Sequence, residues 1–157
     1  MKKLFRPIPL CLIAIVIFGL LSVGTSWYAL DHAKAAIADL PETIELNDET
    51  RSKLDQAQLY VNELDTGIGV STFFADDVDA YINLPVLQQA KADYATMAIN
   101  QAYTTIMTTQ TLSDELKSQI DEARAVLEDY FPDQDYSLIP NYEILPQLEA
   151  LYPDSDS

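Results

Sequence analysis

Carboxylates are the most abundant reactive side chains in this sequence, with 25 Asp and Glu residues against 9 Lys and Arg. Three short acidic clusters could bind calcium, because carboxylate oxygens are ligands that this cation prefers. They are Asp76/Asp77/Asp79, Asp133/Asp135 and Asp154/Asp156. The middle cluster begins like an EF-hand loop, but Leu138 occupies the position that requires glycine and Ile144 the position that requires glutamate. We therefore expect no dedicated metal site.

Catalysis by histidine or cysteine is limited by the number of these residues. The sequence contains one histidine, His32, and one cysteine, Cys11, so a His-based metal site or a His-dependent triad has too few members. The sequence contains no motif of a glycine-rich phosphate loop or a nucleophile elbow, and no pattern that indicates a paired-carboxylate cleft. We expect a protein that is not an enzyme and that uses no cofactor.

An uncharged and largely aliphatic segment runs from Pro7 to Leu30. About 20 apolar residues are enough to span a bilayer as a helix. Cations precede the segment at Lys2, Lys3 and Arg6, and every acid follows it. The positive-inside bias then places residues 1–6 in the cytoplasm and the rest of the chain outside. The sequence predicts a transmembrane signal-anchor at residues 7–30, in a single-pass protein of the cell membrane with an extracytoplasmic C-terminal domain.

A cleavable signal peptide is the alternative for the same segment. Small residues at Ser22-Val23-Gly24 and Gly24-Thr25-Ser26 offer tolerable cleavage spacing. The pair Trp27-Tyr28 at the outer boundary favours the anchor, because such rings are enriched at membrane interfaces. Under the alternative the protein is secreted, and both interpretations export the same domain.

The region after Leu30 is strongly acidic, and this charge restricts its partners. The negative electrostatic field of this region repels nucleic acid and anionic lipid, so we expect no nucleic-acid binding. It favours counter-ions or a cationic protein surface. Most exposed charge only solvates a fold, and this simpler role is the alternative.

One long helix is predicted from Asn83 to Met107, with apolar stripes on two different sides. The first stripe contains Leu87, Ala90, Tyr94 and Met97. The second contains Ala95, Ile99, Ala102, Tyr103 and Ile106. We expect the first half of this helix to close one small bundle and the second half to open another.

The sequence around this helix repeats. Leu46–Leu64 aligns without gaps on Leu112–Tyr130, with six identities that include Asp48/Asp114 and Ala57/Ala123. A second alignment relates Asn83 and Leu87 to Asn141 and Leu145. The predicted fold is all-α: an N-terminal transmembrane helix followed by two short three-helix bundle repeats that share the long central helix. We place the first unit at residues 31–96, the second at 97–152 and a flexible tail at 153–157.

Several segments resemble the tandem three-helix repeats of secreted and surface proteins of Gram-positive bacteria. The resemblance rests on Ile37-Ala-Asp-Leu-Pro41, Ile44-Glu-Leu-Asn-Asp-Glu49, Ala57-Gln-Leu-Tyr-Val-Asn-Glu-Leu64, Tyr81-Ile-Asn-Leu-Pro-Val-Leu-Gln-Gln-Ala90, Glu122-Ala-Arg-Ala-Val-Leu127 and Leu138-Ile-Pro-Asn-Tyr-Glu-Ile-Leu145. It implies a non-catalytic extracytoplasmic spacer or protein-interaction module. The competing interpretation is a sensory or regulatory subunit that binds a small ligand or a membrane partner.

The loop of the first copy, Asp65 to Tyr81, is longer than its counterpart and is the predicted partner-binding segment. Its candidate contact residues are Phe73, Phe74, Asp76, Asp77 and Asp79. The alternative is that the aromatic residues of this loop pack into the bundle, as aromatic residues at helical spacing usually do.

Changing Phe73 and Phe74 together to serine is expected to weaken capture of a partner while leaving helical content and melting nearly unchanged. Pull-down and circular dichroism measure the two effects. Unfolding of the double variant would show instead that these rings belong to the core.

Overall fold

The computed structural model describes residues 8–65 and 77–152, with side chains given for all of them except residues 8–12, 21–26 and 65. The predicted cytoplasmic residues 1–6, the loop residues Phe73, Phe74 and Asp76, and the predicted tail 153–157 lie outside the described residues.

Helices are the only regular elements in the described residues, which confirms the all-α prediction. They are α1 (Ile8–Ala38), α2 (Asp48–Asp65), α3 (Val78–Ile82), α4 (Leu84–Thr109), α5 (Asp114–Tyr130) and α6 (Ile144–Glu149). The long helix predicted from Asn83 to Met107 is present as α4 and has no break.

α1 continues beyond the uncharged segment and ends at Ala38. Pro41 follows closely, and proline disfavours helical conformation in the residue before it. Among the residues whose side chains the structure describes, no helix has an apolar stretch that is long enough to cross a membrane.

The starts of α2 and α5 are built in the same way, at positions that the sequence repeat aligns. Asn47 Oδ1 accepts a hydrogen bond from the Thr50 amide at 2.8 Å, and Ser113 Oγ accepts one from the Leu116 amide at 3.2 Å. Both helices carry two acids in the first turn, where they meet the positive end of the helix dipole. Burial also repeats at the aligned pairs Thr50/Leu116, Leu54/Ile120, Ala57/Ala123 and Leu64/Tyr130.

The described residues form two compact units. The first contains the residues up to Asp39 together with Asp55–Leu84, and the second contains Leu40–Leu54 together with the residues from Pro85 onward. In the first unit, α1 packs against α3. Its buried apolar side chains are those of Leu30, Ala33, Ile37, Ala57, Leu64 and Ile82.

The core of the second unit is built on α4. The buried side chains of this helix are mostly alanines, with Leu87, Tyr94 and Ile99 as the large members. α5 packs against α6 and adds its own buried face. That face consists of Leu116, Ile120, Ala123, Val126, Leu127 and Tyr130.

Both predicted stripes of α4 contain buried residues, but two details differ from the expectation. Tyr103, assigned to the second stripe, is 40% exposed, and Met97 and Ile106 are half-buried. In addition, α4 lies in the second unit from Pro85 onward, so the compact units group the chain differently from the predicted units 31–96 and 97–152. The layout of two three-helix repeats stays a prediction.

The end of α4 places a non-glycine residue in the left-handed region. Gln110 has a φ of 55°, and its amide donates to the Ile106 carbonyl at 2.8 Å. This is a position where helices usually carry glycine, because a Cβ is strained at positive φ.

Replacing Gln110 by glycine is expected to stabilise the protein by several tenths of a kcal/mol to about 1 kcal/mol, because it removes that strain. The matched control is Gln101→Gly, an exposed position inside the same helix, where glycine should cost about 1 kcal/mol. Urea unfolding followed by circular dichroism measures both. A loss of stability in both variants would contradict this account of the helix end.

Candidate functional site

Aromatic side chains gather in the first unit at the end of the uncharged part of α1. We call this group the aromatic cluster, and it consists of Trp27, Tyr28, His32, Tyr60 and Tyr81. Three of its members come from α1, while Tyr60 comes from α2 and Tyr81 from α3. Helical spacing brings Tyr28 and His32 to the same side of α1, one turn apart.

Ring contacts connect the members of the aromatic cluster. Trp27 and Tyr81 meet edge to face with ring centroids 6.2 Å apart. His32 lies between two tyrosines, with centroid distances of 4.1 Å to Tyr28 and 5.4 Å to Tyr60. Offset and edge-to-face pairs of this kind add to the stability that burial alone provides.

Two charged residues of α1 fix the ring of Tyr81. The phenol oxygen of Tyr81 donates a hydrogen bond to Asp31 Oδ1 at 3.0 Å, and Lys34 Nζ lies 4.1 Å from the ring centroid. The hydrogen bond to Asp31, together with desolvation and the negative charge of that carboxylate, raises the pKa of Tyr81. The phenol is therefore held in its neutral form and is not activated as a base or nucleophile.

The aromatic cluster remains open to the surroundings of the chain. Trp27 is 45% exposed, Tyr28 68% and Tyr81 38%. Each of these rings has an apolar body and a polar tip, and such rings concentrate at boundaries between water and an apolar phase.

A second aromatic group, in the second unit, has the character of a core. Tyr94 and Tyr130 are buried and meet edge to face at 6.3 Å. Lys91 Nζ lies 5.6 Å from the centroid of Tyr130 and 5.5 Å from that of Phe131, and desolvation lowers the pKa of this lysine. Because both tyrosines are buried, this group contributes packing to the second unit.

The structure describes two of the five predicted partner-binding residues. Asp77 precedes α3 and Asp79 lies in its first turn, and both are exposed. Phe73, Phe74 and Asp76 lie outside the described residues. The contact surface formed by these five residues stays a prediction.

The acidic clusters considered for calcium do not assemble with other ligands in the part of the chain described. No group of three or more His, Cys, Asp or Glu side chains there could hold a metal ion. Asp135 Oδ1 instead accepts a hydrogen bond from the Ser137 amide at 3.1 Å, and the hydrogen bonds from Ser137 lower the pKa of this carboxyl group.

Sequence reasoning found the Trp27-Tyr28 pair but missed the partners of these rings. Tyr81 lies next to Trp27, and Tyr60 next to His32, through folding of segments that are distant in sequence. The available signal was local: Tyr81 follows Val78 at helical spacing on a short helix. That spacing predicts that the ring of Tyr81 packs on the protein, but it does not identify Trp27 as the partner.

No protein family, curated protein or solved structure matches this chain. The resemblance to surface-protein repeats stays an expectation from the sequence, and a function has to be argued from the residues of the chain itself.

Proposed function

We propose that this chain is a non-catalytic, membrane-anchored extracytoplasmic protein that serves as a helical spacer or protein-interaction module. The observation that carries the proposal is the surface of α1. Its apolar residues from Ile13 to Leu20 are exposed around the whole helix, with Phe18 at 76% and Leu20 at 69%. A Cβ added at Gly19 would meet no atom within 4 Å.

A surface helix that packs its apolar side against protein exposes only its polar side. This part of α1 has no polar side, and none of the residues that the structure describes covers it, which is typical of a helix surrounded by lipid. The uncharged sequence from Pro7 to Leu30 extends beyond the described side chains. At about 1.5 Å per residue, its part from Ile8 to Trp27 extends about 30 Å, the thickness of a bilayer hydrocarbon core.

The aromatic cluster supports the same proposal. It begins where the apolar part of α1 ends, so its rings would lie at the outer headgroup layer. Lys34, whose ammonium group lies over the ring of Tyr81, would add a positive charge near the lipid phosphates. The acidic surface of the rest of the chain would be repelled by anionic headgroups and kept in water.

The role as a spacer follows from the continuity of α1. Leu30, Ala33 and Ile37 are buried in the first unit, and they belong to the same helix as the exposed apolar residues. The proposed anchor therefore enters the folded unit without a flexible linker. A helix connected in this way transmits a fixed orientation from the membrane to the unit.

An interaction role, in which a cationic protein surface binds the first loop, belongs to the same proposal. Asp77 and Asp79 are exposed at the start of α3 and available for such a contact. Complementary charge mainly speeds encounter and selects partners.

Trp27 is the only tryptophan, and its fluorescence can test the proposed position directly. With the full chain reconstituted in vesicles, lipids brominated near the headgroup are expected to quench Trp27 more strongly than lipids brominated near the chain ends. The matched variant, Phe18→Trp with Trp27→Phe, moves the fluorophore into the apolar segment and should reverse this order.

Carbonate extraction accompanies the quenching measurement and should leave the chain in the membrane fraction. Two results would contradict the anchor. One is a Trp27 signal that no brominated lipid quenches, and the other is soluble protein that begins near Thr25 or Trp27, which would establish cleavage.

A further inference from the structure

The second half of α4 presents a surface without charge in a chain that is otherwise strongly acidic. From Tyr94 to Ser113 the sequence contains no Asp, Glu, Lys, Arg or His, and no uncharged stretch after Leu30 is longer. The whole chain has a formal net charge of −16. Charge is therefore missing from the second half of one helix, although it is abundant before and after this stretch.

The exposed side of this part of α4, which we call the neutral face, has five members. They are Asn100, Tyr103, Thr104, Met107 and Thr108, all of them exposed. Their helical spacing places them on one side of α4, opposite the buried Ala95, Ala98 and Ala102. Tyr103 is 40% exposed and Met107 59%, and these two residue types are enriched at protein interfaces.

We propose that the neutral face binds the same face of a second copy of this chain. Two copies with this net charge repel each other, and carboxylates placed against carboxylates would add to the cost. A two-fold axis through the neutral face places uncharged side chains of one copy against the same uncharged side chains of the other. A cationic partner would gain more from the acidic surfaces elsewhere on the chain.

The size of the neutral face limits the strength of this contact. Asn100 and Thr108 are about 12 Å apart along the helix axis at 1.5 Å per residue. A contact of this length is smaller than a standard interface, which buries about 800 Å² per partner. The association is therefore weak, and it strengthens with salt because screening reduces the repulsion between copies. Anchoring in one membrane would raise the effective concentration, but the inference does not depend on the anchor.

Cysteine cross-linking of the full chain tests the inference, because Cys11 is the only cysteine to remove. In a Cys11→Ser background, Thr104→Cys and Thr108→Cys place single thiols at the middle and one end of the neutral face. The matched control is Ser118→Cys, an exposed position on α5 between Lys117 and the acids Asp121 and Glu122. At least one thiol of the neutral face is expected to form intermolecular disulfides ten times faster than the control.

A charge placed on the neutral face separates specific pairing from random collision. Met107→Glu, combined with the faster cysteine variant, is expected to reduce the rate of cross-linking to that of the Ser118→Cys control. Ser118→Glu adds the same charge on another helix and should leave the rate unchanged. All of these positions are exposed, so circular dichroism should show unaltered helical content. Equal rates for all single thiols, or no effect of Met107→Glu, would overturn the inference.

Discussion

The burial of small side chains along α4 is the constraint on which the second unit depends. Five of the eight buried side chains of the helix are alanines, namely Ala90, Ala92, Ala95, Ala98 and Ala102. Small side chains allow neighbouring elements to approach the helix axis closely, and well-packed interiors tolerate added volume poorly. The second unit is therefore ordered by the shape of α4 as much as by the apolar area that it buries.

The sequence predicted the all-α class and the long helix α4, and the ends of the other helices also have local physical causes. The caps at Asn47 and Ser113, the acids that follow them and the proline after α1 each act within one turn of helix. The burial of Leu54 and Ile120 at aligned positions of the repeat has the same origin, since both lie on the apolar side of an amphipathic helix. These features do not determine how the helices group into compact units.

The contacts that could not be predicted join segments far apart in the chain. The hydrogen bond from Tyr81 to Asp31 and the ring contact of Tyr60 with His32 depend on which helices become neighbours. Tyr103 shows the complementary difficulty: its spacing fits an apolar stripe, yet it lies at the edge of the buried side and remains exposed. Charge was more informative, because the uncharged parts of this acidic chain mark both the exposed part of α1 and the neutral face of α4.

Native-state hydrogen exchange of the full chain is the most direct measurement of the claim that α4 organises the second unit. Backbone amides from Ala92 to Ala102 should be the most protected of that unit, exchanging only when the whole unit unfolds. Amides of the short helix α6 should exchange faster through local opening, because six residues form few helical hydrogen bonds. Protection of α4 no greater than that of α6 would contradict the claim.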